Sequence, residues 1–308
     1  MFLNYALVDV FTNTPFLGNP LAIVRVPASY KSSLSQEIKQ KIAVEFNLSE
    51  TIFLHEPSGD CQTPVETLAI DTFTPKCEIP FAGHPTIGTA AYVFRNYSPA
   101  VSENLKSLVT KAGHIPLSQD LKTGLVSAHI PVDFHIHQAQ IPSNISSVSD
   151  ASPAVSIVNG LSFVLAAVSD VESLAKLSGG LIEDCVNPPF LDEGWNVGLI
   201  GTKYFVDLGK DDQGYRQLRT RMFVTWEDPG TGSASSTLAC FLALKEPKEQ
   251  GSGPFHYHII QGVEMGRRND IYVRVARSED GEKLAEVLLQ GDAVSVGEGR
   301  IAVPGQSI

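Results

Sequence analysis

The chain has 308 residues, 43% of them hydrophobic and 19% charged, and a formal net charge of −11. That length exceeds one small core and suits two domains of about 150 residues, and the composition is neither fibrous nor disordered. The acidic balance supplies no basic footprint for nucleic acid or an anionic membrane, so an anionic ligand has to be attracted locally.

No run approaches the ~20 apolar residues that span a bilayer, and the stretch Met1 to Ala6 lacks the basic and long apolar regions of a signal peptide. A cytoplasmic location is expected. Cys61, Cys77, Cys185 and Cys240 follow no metal or disulfide spacing and read as four reduced thiols, with a Cys61 to Cys77 bridge disfavoured in that compartment.

Tyr5 to Phe11 and Leu21 to Val26 have strand composition and are joined by a turn ending at Gly18-Asn19-Pro20, which predicts an antiparallel opening. Ile38, Ile42 and Phe46 recur every four residues, giving an amphipathic helix from about Ser35 to Phe46, ended by Asn47. Thr51 to Leu54 and Glu66 to Thr74 return to strand. The turn Phe81-Ala82-Gly83-His84-Pro85-Thr86 then runs into Ile87 to Phe94, a helix apolar nearly all round and therefore buried. Leu125 to Ile130 is a further strand.

The second half repeats this order loosely. Ile157 to Val168 is a strand-rich run broken at Asn159-Gly160, Val171 to Leu177 is a short helix, and Val197 to Asp207 and Arg221 to Thr225 are strands. A second turn, Glu227-Asp228-Pro229-Gly230-Thr231-Gly232-Ser233, enters an apolar helix at Ala234 to Leu242, and Ile271 to Val275 is a later strand. The polar, Ser-rich stretch from Ile141 to Asp150 suits a linker, which predicts domains at 1–140 and 141–308. The fold class is α+β: a duplicated unit with a buried central helix wrapped by mainly antiparallel strands.

The two glycine turns are one device used twice. A helix opened by Gly, Thr and Ser offers unpaired N–H groups and a positive dipole end, and two such ends facing each other would hold a carboxylate. Nucleotide readings fail: Thr89 stands where a phosphate loop needs Lys, and Gly230-Thr231-Gly232 lacks the crossover pattern of a dinucleotide fold. His135-Ile136-His137 and His256-Tyr257-His258 place paired imidazoles on strand faces, a spacing that serves metals. With no carboxylate near in sequence, solvated histidines are expected and no metal is assigned. Asp228-Pro229 favours an N-cap followed by Pro at the first helical position, which does not exclude a catalytic role. Asn47-Leu48-Ser49-Glu50 has capping-box spacing, but β-branched and aromatic residues follow it, which weakens that explanation and leaves an ordinary exposed Glu at a strand start as the default reading of Glu50.

Taken together, Val8-Asp9-Val10-Phe11-Thr12, Pro15 to Pro20, Asn47 to Thr51, Phe73-Thr74-Pro75 with Glu78 to Thr86, Glu227 to Ala234, and Gln261-Gly262 with Met265-Gly266-Arg267 resemble the phenazine biosynthesis PhzF-like isomerases. The resemblance spans nearly the whole chain. It implies the diaminopimelate epimerase-like fold: two pseudo-symmetric domains with the site in the cleft between them, closing strands that exchange between halves, a homodimer, and no cofactor. In the family's phenazine enzyme a glutamate moves a hydrogen between ring carbons of a dihydro-hydroxyanthranilic acid. By motif that glutamate falls on Glu50, and the supporting groups on His84, Asp228 and Ser233. Substrate-binding positions fall on Asn19, Gly83, Pro85, Thr86, Gly230, Thr231 and Gly232. Two-cysteine relatives carry Cys immediately before each glycine turn, where this chain has Ala82 and Pro229, so opposed thiols are not its acid and base.

A glutamate has an unperturbed pKa near ~4.3, so the implied chemistry requires Glu50 to be desolvated. Trp226 is placed either against a flat substrate ring or in an ordinary core or surface role. Three departures bear on substrate choice: Asp71 where many relatives carry Arg, a short link from Phe223 to Glu227, and Arg268-Asn269 in place of Pro-Ser. The expectation is a cofactor-independent isomerase or epimerase acting on a small cyclic or aromatic-like carboxylic acid. The alternatives are a non-catalytic small-acid binding or regulatory protein, or a same-fold enzyme of cyclisation or dehydration. An intact Glu50, His84, Asp228 and Ser233 favours an enzyme, because a binder needs only the amide turns.

Overall fold

The computed structural model describes residues 1–58 and 63–305, and Cys61 lies outside the described residues. The chain divides into two compact units, Met1–His129 with Gln290–Ile308, and Ile130–Leu289.

The first unit opens with β1 (Phe2–Val10) and β2 (Asn19–Val26), paired antiparallel as expected. Helix α1 (Gln36–Phe46) is capped at its start by Ser35, whose Oγ accepts from the Ile38 N–H, and ended by Asn47 in the left-handed conformation at φ 50°. Strand β3 (Thr51–His55) lies parallel to β2, and β4 (Thr67–Phe73) returns antiparallel to it. The short β5 (Glu78–Ile79) leads into α2 (Gly83–Asn96), and the single turn α3 (Pro99–Ser102) follows. Strand β6 (Ser107–Thr110) runs parallel to β4, with β7 (Gly113–Gln119) and β8 (Val126–His129) completing the meander.

The second unit begins at β9 (His135–Pro142), paired antiparallel with β10 (Ala151–Val158). This corrects the predicted linker and the 140/141 boundary. The residues between the two strands are a turn inside this unit, closed by the Ser143 N–H donating to the Asp150 carbonyl. A Ser-rich polar stretch suits a hairpin connection as well as it suits a linker. Then β11 (Leu161–Ala167), α4 (Val171–Ala175), β12 (Leu199–Lys210), β13 (Arg216–Phe223), β14 (Glu227–Asp228) and α5 (Gly232–Lys245) follow in the first unit's order. So do β15 (Phe255–Gln261) and β16 (Asn269–Arg277). Pairing repeats as well: β11 with β12 and β13 with β15 are parallel, as β2 with β3 and β4 with β6 are. Strand β17 (Leu284–Gly291) precedes β18 (Ala293–Ala302), which pairs antiparallel with β1 and so belongs to the first unit.

Each unit is organised by its own 14-residue central helix. Helix α2 packs on β1, β2, β8 and β18, and α5 on β10, β11, β15 and β16. The first contact is close: a Cβ at Gly88 would lie 2.6 Å from Val10 Cγ2 and 2.8 Å from Leu21 Cδ2. No helix among the described residues is long and apolar enough to cross a membrane.

Candidate active site

In the first unit the structure brings Glu50 and His84 together. Glu50 sits in the connection from α1 to β3, where no helix follows Asn47, and its Oε2 lies 3.4 Å from His84 Nδ1. The Glu50 side chain is 18% exposed and that of His84 6%. Burial pushes the imidazole down to about 3, against a hydrogen bond with the Pro20 backbone that favours its charge. His84 is therefore neutral at ordinary pH.

Gly83, His84 and Pro85 form the first turn of α2, and all three are buried, as is Thr86. The first helical bond runs from the Thr86 N–H to the Ala82 carbonyl, which Thr86 Oγ1 also reaches at 2.8 Å. Pro85 has no N–H, so the amides of Gly83 and His84 are the ones helix geometry leaves without an intrahelical acceptor. Ala82 supplies no side-chain cap. Asn19 is buried at the start of β2.

In the second unit, α5 starts at Gly232 and its N-cap is Thr231. Asp228 is thus not the N-cap, nor Pro229 the first helical residue, because both precede the helix. Asp228 instead shapes the turn: its Oδ2 accepts from Thr231 Oγ1 at 2.5 Å and its Oδ1 from the Gly230 N–H at 3.3 Å. Those bonds, with Thr231 N–H donating to Gln261 Oε1 at 3.3 Å, occupy two of the amides assigned to substrate. Gly232, Ser233 and Ala234 carry the amides that remain without an intrahelical acceptor, since the first helical bond runs from the Ser235 N–H to the Thr231 carbonyl. Ser233 stands second in α5, as His84 stands second in α2. The position matching Ala82 is accordingly Thr231 rather than Pro229, and it carries no thiol either.

Sequence reasoning missed what braces this turn. Gln261 Nε2 donates to the Asp228 carbonyl at 2.7 Å and to Thr231 Oγ1 at 3.1 Å. Lys203, wholly buried on β12, donates to Gln261 Oε1 and to Ser235 Oγ. Burial lowers its ammonium to about 7, the Asp228 charge acting the other way. Asn269 Nδ2 donates to the Pro229 carbonyl at 2.6 Å, so Asn269 holds the turn from behind. A Cβ at Gly230 would meet Asn269 Oδ1 at 2.2 Å, which explains the glycine. A lone Lys inside Leu199 to Val206 was the signal available.

Other expectations change. Asp71 does not carry a bare reversed charge: Lys39 Nζ lies 2.6 Å and His55 Nε2 2.8 Å from its Oδ2. Burial alone would raise its carboxyl, but these hydrogen bonds hold it below the ordinary carboxylate range. Trp226 lies at the short β13–β14 turn and is 56% exposed. The strand histidines are not all solvated, since His137 is buried, and Asp192 supplies the carboxylate absent from the local sequence. Cys77, Cys185 and Cys240 are free thiols, with Cys240 inside α5 and its pKa pushed up by burial.

Comparison with known proteins adds to this geometry. Residues 8–299 match the family model for phenazine biosynthesis-like proteins. The chain is 31% identical to an uncharacterized isomerase of Pasteurella multocida, covering 97% of this chain and 94% of that protein. It is 29% identical to the trans-2,3-dihydro-3-hydroxyanthranilate isomerase of Pseudomonas aeruginosa, with 96% and 98% covered. The crystal structure of a PhzF family protein from Bacillus anthracis superposes with a TM-score of 0.72 at 23% identity, covering 98% of this chain and 100% of the other. A hydroxyproline epimerase from Agrobacterium vitis gives 0.57 at 15% identity, with 98% and 93% covered, a likeness of fold.

Proposed function

The chain belongs to the phenazine biosynthesis-like family and is an isomerase by that membership; we propose that it moves a proton between two carbons of a small cyclic carboxylic acid, with Glu50 as the acid–base group. The observation that carries this reading is the Glu50 carboxylate set 3.4 Å from a buried imidazole. A cationic His84 would stabilise that carboxylate and weaken it as a base. Burial removes the cation, leaving His84 to exchange a hydrogen bond with Glu50 or with a substrate substituent.

In the proposed step, Glu50 takes a proton from a carbon made acidic by conjugation. The electron pair spreads toward the substrate carboxylate, and the resulting carboxylic acid returns the proton to a second carbon, so no oxidant or reductant is consumed. The helix amides of Gly83 and His84, in the same unit as Glu50, favour the substrate carboxylate and the charge that develops on it. The buried His84 serves an amino or hydroxyl substituent, groups present in the substrate named for the Pseudomonas aeruginosa relative.

The test uses cyclic carboxylic acids, trans-2,3-dihydro-3-hydroxyanthranilate among them, incubated in heavy water with the wild type and with Glu50→Gln. Wild type should isomerise one member and incorporate deuterium at carbon. Loss of a positioned base should slow this by about 10²- to 10⁴-fold. Equal rates in two folded proteins would refute the role of Glu50, and loss of water from the product would refute isomerisation.

A further inference from the structure

His135 and His137 stand two residues apart on β9 and project from the same face, while Ile136 between them turns away and is 40% exposed. The loop before β12 brings Asp192 to them. Its Oδ2 lies 2.7 Å from His135 Nε2 and 3.8 Å from His137 Nδ1. One ligand atom from each of the three residues lies within 4.8 Å of the others.

The surroundings fix how these groups point. His137 Nε2 is 2.8 Å from Ser156 Oγ, which is itself 2.6 Å from Ser162 Oγ. The Asp192 backbone N–H donates to His137 Nδ1 at 3.3 Å. A nitrogen that accepts carries no proton, so the ring is the neutral tautomer with its hydrogen on Nε2. Its unprotonated Nδ1 thus faces Asp192, with the carboxylate Oδ2 3.8 Å away. Asp192 Oδ1 is taken by the Gln138 N–H at 3.2 Å, which turns Oδ2 to the histidines. Trp195 stacks on His135 with centroids 4.7 Å apart and planes 11° apart, and its backbone N–H donates to the Asp192 carbonyl at 2.9 Å.

An ion pair explains only part of this. His135 already pairs with Asp192 Oδ2, and the unprotonated Nδ1 of a second, buried imidazole 3.8 Å from the same oxygen adds a third donor to the cluster that a pair does not need and a cation would use. We propose that His135, His137 and Asp192 form a binding site for one borderline divalent transition-metal ion of the Zn²⁺ class. A tetrahedral ion with bonds of ~2.1 Å separates its ligand atoms by ~3.4 Å. The 2.7 Å pair must open and the 3.8 Å pair close, each by less than 1 Å, and the two imidazole nitrogens, within 4.8 Å of each other, must draw together as well by side-chain adjustment. The ion replaces the proton lying between His135 Nε2 and Asp192 Oδ2, and His137 Nδ1 gives up its long bond from the Asp192 N–H. Water completes the coordination from the His135 side, which is 34% exposed. Two imidazoles with one carboxylate select against Mg²⁺ and Ca²⁺, which prefer all-oxygen sites. The bound ion ties the Asp192 loop to β9 and raises the stability of the second unit.

The experiment titrates the full chain, stripped with chelator, with Co²⁺ followed by visible absorption and with Zn²⁺ followed by calorimetry. Wild type should take up one ion, develop tetrahedral cobalt bands, and not bind Mg²⁺. His135→Gln and Asp192→Asn, which spare the buried His137, should bind at least tenfold more weakly while unfolding near the wild-type temperature. His258→Gln, altering the other close histidine–aspartate pair at Asp270, should bind as wild type does. Absence of wild-type binding, undiminished binding in both site variants, or equal loss in His258→Gln would each overturn the assignment.

Discussion

Replacing Lys203 with Met should turn a second unit whose stability climbs with pH into one that stays nearly level. Burial holds the Lys203 ammonium at about 7, against an ordinary 10.5. The folded state thus gives up this proton near pH 7, while the unfolded chain keeps it to about 10.5. Between those values the unfolded state binds more protons, so stability must rise with pH; below pH 7 the penalty of burying the charge is fully present. The full penalty is about 5 kcal/mol, and roughly 2 kcal/mol of it disappears between pH 7 and pH 9. Urea unfolding followed by tryptophan fluorescence reads the right part of the molecule, since both tryptophans, Trp195 and Trp226, belong to the second unit. Losing the hydrogen bonds to Ser235 and Gln261 displaces the variant's whole curve but does not change its slope with pH. Comparing the two proteins cancels the histidines that titrate nearby. If wild type and Lys203→Met gain the same stability from pH 7 to pH 9, the buried-ammonium account is wrong.

Acid should act on the first unit through His84, which is held at about 3 while the unfolded ring titrates near 6.5. Stability is retained above 6.5 and lost as pH falls toward 3, so calorimetry at pH 7 and pH 4.5 should show His84→Gln losing roughly 2 to 3 kcal/mol less than wild type. Gly88→Ala should lower the melting temperature although Ala is the better helix former. Its Cβ overlaps Val10 and Leu21, an overpacking cost of about 1–3 kcal/mol, and an unchanged or higher melting point would contradict the packing of α2 on β1 and β2. Arg277→Met should destabilise the second unit by about 1–3 kcal/mol in urea, because buried carbonyls lose their donor. The buried guanidinium donates to the carbonyls of Ala243, Glu246, Pro247 and Gly251 at the end of α5, and a neutral outcome would mean water replaces it there.

Legibility in the sequence followed the range of the interaction. Helix α1 was readable because its apolar spacing and both of its ends, Ser35 and Asn47, are local signals. The apolar segments after the glycine turns were readable as buried helices for a similar reason. Asp228 misled because Asp-Pro is a good helix start in isolation, and what moved it out of the helix is Gln261, which holds the Asp228 carbonyl and Thr231 from 30 or more residues away. Asp192 reaches His137 across 55 residues and Lys203 reaches Gln261 across 58, separations that leave no periodic trace in the chain. Parallel pairs such as β2 with β3 and β13 with β15 were equally silent, since a strand's composition does not state the direction of its neighbour. The Ser143 to Asp150 connection failed for the opposite reason, because turns and linkers draw on the same residues.

Helix capping gives the paired turns a physical meaning that their sequence alone did not. Ser35 caps α1 and Asp170 caps α4 through side-chain oxygens. Single-turn α3 opens on Pro99 without such a cap. The two longest helices, α2 and α5, also go without one, Ala82 offering no oxygen and the Thr231 hydroxyl being bound to Asp228 instead. Omitting a cap costs about 1 kcal/mol at each start, and here it falls on the two helices whose opening turns are largely buried. Asn269, Gln261 and Lys203 brace the second turn without occupying the Gly232 and Ser233 amides. A braced turn with unspent amides favours an acceptor that arrives from outside, and an anion suits it because the helix start carries the positive end of the dipole.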